Sequence, residues 1–435
     1  MMAQSRCWGL NSRGISTPSP FLCLSSSTSS FSRPPLRYAV LGAGFAGLSV
    51  AFHLLSESAK ELNLCIDIYD EIGIGGGASG VSGGLIHPYS PKAKLLWRGA
   101  ECWNECLRLL STAETAAMCS DDFDLGVSDF HGLIVQKRGI LRPAVSMKNL
   151  LLLSDVILSE LNVSTRIETI DKEAAQNLVP DLCVPFNTAF HMPQAVNIHP
   201  QRYLQALYVA CENLVKEQSS SGIGEKELHL HKKSVHKILD LEGEYQAVII
   251  CLGAKADMLP ELAGRIPLRT CRGVVAHLKL PDDIREEYPE LGPSILSDAW
   301  LAIQGPRSLY MGSTWEWKSR NSSPNVSTSE ASKALEELLP KAYAIYPDLK
   351  NWTFTTARAG LRAMPPLTPH GSLPLLGCVN DIVGENNGCK YWLFGGLGAR
   401  GLLYHGWLGK LMAQAVLACN EQLIPSELTS WKKRI

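Results

Sequence analysis

The chain has 435 residues, 46% hydrophobic and 19% charged, with 36 Gly, 25 Pro and 13 Cys. Apolar content is ample and Gly has no triplet period, which excludes collagen, a coiled coil and wholesale disorder; the length suits two or three domains or an interleaved pair. Net charge is −1, but residues 1–37 supply four Arg and no acid, so the remaining body stands at −5 and lacks the global footprint of a nucleic-acid binder, while a local basic patch stays compatible with it.

Residues 1–37 also hold ten Ser, two Thr and four Pro, and the first acid of the chain is Glu57. Such a Ser- and Arg-rich, acid-free start predicts an organelle transit peptide over residues 1–35. The apolar run Phe21–Leu24 is too short for a secretory signal. Abundant Ser, few Arg and no amphipathic Arg face favour chloroplast over mitochondrion as the destination.

Leu36–Leu41 reads as a short buried strand, followed by Gly42-Ala43-Gly44-Phe45-Ala46-Gly47 and a helix-like run from Leu48 to Leu55. This is GxGxxG with a strand before it and a helix after it. Gly42 permits the tight turn, Gly44 lets the main chain approach a pyrophosphate, and Gly47 lets the helix pack on the sheet with its amino end towards the anion. Phe45 and Ala46 lie within the same loop. Tyr38–Leu55 carries no charge over 18 residues, close to a membrane span, but the glycine spacing accounts for it and no membrane partner is expected. A second strand, Leu64 to Asp70, ends in an acid positioned for the adenosine ribose hydroxyls; Asp67 is the weaker candidate.

Seven of the twelve residues from Gly73 to Gly84 are Gly. A run this rich lets the backbone pass close to a ligand that extends beyond the pyrophosphate, which points to FAD rather than NAD. Ser79, Gly80, Gly83, Gly84 and Leu85 are therefore cofactor candidates. Further along, Tyr245–Ala254 reads as a buried strand ending in a turn at Gly253. Trp392–Leu403, with Gly396, Gly398, Arg400, Gly401 and Leu402, leads into a terminal helix placed at about 406–422. A glycine loop at a helix start there offers backbone donors to the flavin's electron-rich pyrimidine edge.

In this order the segments resemble the D-amino-acid oxidase superfamily of flavoproteins, which includes glycine and sarcosine oxidases. The resemblance covers nearly everything from Tyr38 to Cys419. It rests on Ser79-Gly80, Gly83-Gly84, the GxRP-like Gly360-Leu361-Arg362, Pro374–Gly377 and the last glycine loop. Gly83–Pro88, Cys271–His277, Tyr310–Trp315 and Gly396–Leu402 are similar to the FAD-containing half of the MnmC family of bacterial wobble-uridine enzymes. The family's acid after the GxRP segment is missing, with His370 nearby, and its Pro is displaced to Pro365. The resemblance implies an α/β fold: an FAD-binding Rossmann-like domain of glutathione-reductase type (36–100, 195–265, 352–425), interleaved with an antiparallel-sheet α+β substrate domain (101–194, 266–351), then a tail (426–435). It also implies Val235 as a cofactor contact.

Strand candidates for the substrate domain are 131–137, 274–280, 299–303 and 308–312. Pro200–Cys211 reads as an amphipathic helix, and 219–224 and 321–329 as polar loops. Cys102 and Cys106 read as reduced core thiols beside Trp97 and Trp103. His229, His231 and His236 alternate with Lys, the pattern of a solvated strand, and no metal arrangement is indicated.

Flavin amine oxidation asks for orientation more than for a triad. An amino-acid substrate requires a carboxylate clamp, for which the planar fork of Arg suits best. By family position that residue is Arg362. Arg400 can meet a substrate anion or the flavin edge. His87 is a flavin contact, with no sign of covalent attachment. Tyr310 and Trp315 are candidates for the pocket wall, with core packing preferred for Trp315. Lys279 and Lys318 are the candidates for a Lys tuning oxygen reactivity. The predicted activity is FAD-dependent oxidation of the C–N bond of a glycine- or sarcosine-like amine. One alternative is oxidative removal of the carboxymethyl arm of carboxymethylaminomethyl-uridine in organellar tRNA, with Lys232, Lys233 and Trp431–Arg434 as local RNA contacts. The other is a non-catalytic FAD-binding assembly factor.

Overall fold

The computed structural model describes residues 35–90, 93–119, 134–145, 166–221, 224–384 and 388–434. The expected transit peptide lies outside them apart from Pro35. Among the described residues no helix is long and apolar enough to cross a membrane. The uncharged run from Tyr38 is instead the strand Leu36–Leu41, a glycine turn and the helix Phe45–Glu57.

Two large sheets organise the chain. The first has six strands in the order 375–378, 390–395, 247–250, 36–41, 64–69 and 226–231. All neighbours run parallel except the hairpin of the first two. Its central strands are buried over Tyr38–Leu41 and Ala247–Ile250, segments almost wholly of Val, Ile, Leu and Ala, as a helix-covered parallel sheet requires. The helices Phe45–Glu57, Gly99–Met118, Pro200–Ser221 and Gly401–Leu417 form one core with the sheet's strands. The second sheet has nine strands and is mostly antiparallel. It is centred on the long partners Arg269–Lys279 and Thr353–Met364, with 308–312 and 300–305 alongside.

Several boundaries differ from the sequence reading. Helix Gly99–Met118 buries Cys102, Trp103, Cys106 and Leu109 in the core of the parallel sheet, although residues after 100 were expected with the other sheet. Strand Thr353–Met364 belongs to the nine-stranded sheet, although 352 onward was expected with the parallel one. Val135–Gln136 pairs with Val196–Ile198 in a small three-stranded sheet rather than joining 269–279. Helix Pro200–Ser221 runs into the expected loop at 219. The terminal helix spans Gly401–Leu417, so it begins at the glycine loop itself. Residues 426–434 are no loose tail: Trp431 is buried and its Nε1 donates to the Leu376 carbonyl at 3.0 Å, while Lys432 bonds to Glu421.

Candidate active site

The carboxyl ends of strands 36–41, 247–250 and 390–395 open on a cavity of about 770 Å³, within the range of ligand sites. It reaches from Asp70, Lys233 and Val235 at one end to Trp300, Ser313 and Arg362 on the nine-stranded sheet at the other. Every cofactor candidate from the sequence borders it except Gly47, Gly80 and the weaker ribose candidate Asp67.

The glycines explain themselves by what a methyl group would strike. Gly42 has φ +105°, and a Cβ there would lie 2.6 Å from the Cys251 carbonyl oxygen on the neighbouring strand. At Gly47 it would lie 1.8 Å from the Gly42 oxygen, so this residue serves helix-to-turn packing rather than the cavity wall. At Gly80 it would meet the Gly75 oxygen at 2.2 Å, again a packing role. Asp70 borders the cavity and also fastens the loop. Its Oδ2 accepts the Ala43 N–H at 2.9 Å, and Oδ1 accepts those of Ile72 (3.0 Å) and Gly73 (2.9 Å). Ser79 Oγ accepts the Phe45 N–H at 3.1 Å, joining the second glycine run to the first helix. Asp67, the weaker ribose candidate, does not border the cavity. It is buried, held by Arg37 (2.8 Å), His231 (2.7 Å) and Tyr245 (3.1 Å). Cys65, Asp67 and His229 present ligand atoms within 4.8 Å of one another, but those partners already neutralise Asp67.

The far end is built around Arg362. Its Nη2 donates to the Thr314 carbonyl at 2.8 Å, Nη1 to Ser313 Oγ at 3.2 Å and Nε to the Cys271 carbonyl at 3.4 Å, and the guanidinium carbon lies 3.9 Å from the Trp315 ring centroid. Gly273 leaves room for it, since a Cβ there would stand 2.6 Å from Nη2. Among the described residues no carboxylate lies within ion-pair distance of this group. Burial pulls its pKa below the ordinary arginine value. A half-buried guanidinium with no acid partner pays part of the cost of desolvation, and an anionic ligand relieves that cost.

Arg400 stands at the start of helix Gly401–Leu417, where first-turn amides and the helix dipole face the cavity. Its Nη1 is 3.4 Å from His87 Nε2. Burial, with Arg400 and Arg142 nearby, pushes His87 well below its usual pKa, so its ring is neutral. The cavity thus gathers two arginines that lack a carboxylate partner among the described residues.

Trp315 is not a core residue: it is 45% exposed and borders the cavity. Tyr310 lies outside it, its ring 5.0 Å from that of His277. Neither Lys279 nor Lys318 reaches the cavity. The lysines that do are Lys233 and Lys255, the latter paired with Glu71 at 2.7 Å. Trp300 and Ser313 were not singled out from sequence. The Trp300 ring sits where side chains at both Gly83 and Gly312 would fall, 2.5 and 2.6 Å away. Those two glycines, in separate motifs, were the only trace of it.

The residues present fit FAD. A glycine cradle, an acid at the end of the second strand and two helix amino ends border one cavity. Residues 37–415 match the FAD dependent oxidoreductase family, and the chain belongs to it. It is an FAD-dependent oxidoreductase. Over 363 residues it is 24% identical to the tRNA 5-methylaminomethyl-2-thiouridine biosynthesis bifunctional protein MnmC of Hydrogenovibrio crunogenus, covering 80% of this chain and 48% of that protein. The chain thus spans about half the length of that curated relative. Similar solved structures include glycine oxidase from Geobacillus kaustophilus (TM-score 0.67, 16% identity, 91% of this chain and 98% of that one). Iminodiacetate oxidase from Chelativorans sp. BNC1 gives 0.65 and 20%, covering 90% and 98%. L-proline dehydrogenase from P. horikoshii gives 0.69 and 15%, covering 92% and 98%. These likenesses support the fold.

Proposed function

We propose that the enzyme oxidises the C–N bond of a glycine-like amine whose carboxylate is held by Arg362. The observation that carries this reading is the Arg362 guanidinium, half-buried at the cavity with its charge answered by no acid among the described residues, a charge that a substrate carboxylate matches. FAD held by the Gly42–Ala46 turn, Asp70 and the Gly396–Leu402 loop would supply the acceptor for the hydride that leaves the carbon next to nitrogen. The amine gives up its N–H proton as the C=N bond forms, water adds to that bond, and the C–N bond breaks to release an amine and an oxoacid. Arg362 orients the substrate through its carboxylate, and Trp300 walls the same end of the cavity. Arg400 is assigned either to a substrate anion or to the flavin edge.

A second reading places the amine on a wobble uridine of organellar tRNA, with the carboxymethyl arm released as glyoxylate. It is favoured by the likeness to MnmC, which extends over 80% of the chain. With residues 1–35 read as an address, the proposed compartment is the chloroplast, and a fluorescent fusion of those residues tests it. The chemistry is tested by anaerobic bleaching of the purified yellow protein with glycine, sarcosine and tRNA bearing the carboxymethyl arm. Bleaching by the free amines alone discards the tRNA reading, bleaching by tRNA alone establishes it, and bleaching by none discards both.

A further inference from the structure

His87 and Arg400 meet at the cavity wall as two donors without an acceptor between them. His87 follows the strand Leu85–Ile86, is 5% exposed and borders the cavity. The Tyr89 main-chain N–H points at its Nδ1 from 3.3 Å, and Arg400 Nη1 stands 3.4 Å from its Nε2. A neutral imidazole accepts at one nitrogen and carries its proton on the other. The main-chain N–H cannot turn away and the guanidinium can, so Nδ1 accepts and the proton belongs on Nε2. Burial and the charges of Arg400 and Arg142 keep the ring neutral. The 3.4 Å contact is therefore one of N–H against N–H. Each group calls for an acceptor, and none of the described residues supplies it.

The cavity is where that acceptor has to lie, since both residues border it. Its charge follows from Arg400. This guanidinium is half-buried with no acid partner among the described residues, and a full negative charge answers it better than a carbonyl does. The flavin's pyrimidine edge, neutral in the oxidised cofactor, suits instead the free main-chain amides in the first turn of helix Gly401–Leu417. The loop that carries Arg400 is also tied to the strand that carries Arg362, because Gly398 donates to the Ala363 carbonyl at 2.9 Å. Two places for negative charge thus adjoin one space. We propose that His87 and Arg400 form a second carboxylate site, so that the preferred substrate is a secondary amine bearing two carboxylates, one on Arg362 and the other on this pair. The guanidinium supplies charge and the Nε2–H supplies direction. This inference rests on Arg362 as the substrate clamp and adds what lies on the other side of the nitrogen.

The test titrates the FAD-loaded full chain with thiodiacetate, which carries two carboxylates about one sulfur and has no N–H to lose. Methylthioacetate, with a single carboxylate, is the control, and flavin absorbance reports binding. Thiodiacetate is expected to bind about tenfold tighter, the gain from one charged hydrogen-bonded contact. His87→Leu should cut that preference about fivefold, Arg400→Met should abolish it, and His87→Gln, which keeps an N–H, should retain most of it. Equal affinity for the two ligands in the wild-type protein overturns the second site without any variant. A preference that survives both His87→Leu and Arg400→Met overturns its assignment to these residues. So does a His87→Leu protein whose flavin reduction potential shifts while the preference stays intact, because the pair then serves the flavin. Should one of these variants lose its FAD, the other decides. Arg362→Met separates this inference from the reading beneath it. Undiminished methylthioacetate binding there removes the clamp itself. Lost methylthioacetate binding there, with no wild-type preference for thiodiacetate, removes the second site alone.

Discussion

Arg272 and Arg362 stand on adjacent antiparallel strands, one residue out of register: Arg272 is paired with Leu361, and Arg362 with Cys271. Strand alternation turns them to opposite faces of the sheet. Arg272 is 1% exposed and saturated. Glu330 takes its Nε at 2.7 Å, and the carbonyls of Asn321, Ser323 and Asn325 take the rest. Arg362 is held only by neutral acceptors and an indole face, with its charge left unanswered at the cavity. The same residue type in the same sheet is therefore satisfied by the protein on one face and left without an acid partner on the other. What separates them is whether the protein supplies the anion.

The largest effect should come from removing the saturated member. Arg272→Met leaves Glu330 and three carbonyls without their donor. It is expected to cost about 3 kcal/mol or more in urea unfolding of the FAD-loaded protein, as breaking buried pairs does. Arg362→Met should do the reverse. It removes a half-buried charge that no acid among the described residues answers, so stability holds or rises, while kcat/KM for a carboxylate-bearing amine falls by an amount equivalent to about 2–5 kcal/mol of transition-state stabilisation. The yellow cofactor is retained. If Arg362→Met unfolds as easily as Arg272→Met, the comparison is broken and Arg362 is another structural arginine. Glu330→Gln is milder, because the amide oxygen still accepts from Arg272. A loss of about 1–2 kcal/mol in stability is expected, with anaerobic bleaching rates unchanged.

The sequence carried the parts of this site that are local. GxGxxG, Asp70 and the run from Gly73 to Gly84 are legible because turn geometry and close backbone approach demand Gly at fixed spacing, and Arg362 is legible through its motif. The parts that depend on which sheet an element joins were not. Helix Gly99–Met118 and strand Thr353–Met364 have the correct periodicity for either neighbour, and only packing assigns them. The expected start of helix Gly401–Leu417 falls too late because Gly401, its first residue, reads as part of the glycine loop and lowers the apparent helix propensity; inside the helix, Gly409 is there because Ser49 Oγ would stand 2.2 Å from its Cβ. Asp67 looked like a ligand residue because nothing nearby in sequence announces Arg37, His231 and Tyr245 as its partners.

The smallest expected effect bears most directly on how Arg362 is held. Ser313 Oγ accepts from Arg362 Nη1 at 3.2 Å, while Thr314 and Trp315 secure the rest of the guanidinium. In Ser313→Ala the guanidinium keeps the Thr314 and Cys271 carbonyls and the indole face and loses one neutral hydrogen bond, worth about 1 kcal/mol. Because that bond orients the clamp and touches no reacting atom, the loss should raise KM about fivefold with kcat nearly unchanged. A fall in kcat with KM constant would place the Ser313 hydroxyl at the reacting carbon instead. No change in either would mean that the Thr314 carbonyl and the indole face suffice to aim the fork, and the contrast with Arg272 would then rest on charge alone rather than on how the two guanidiniums are anchored.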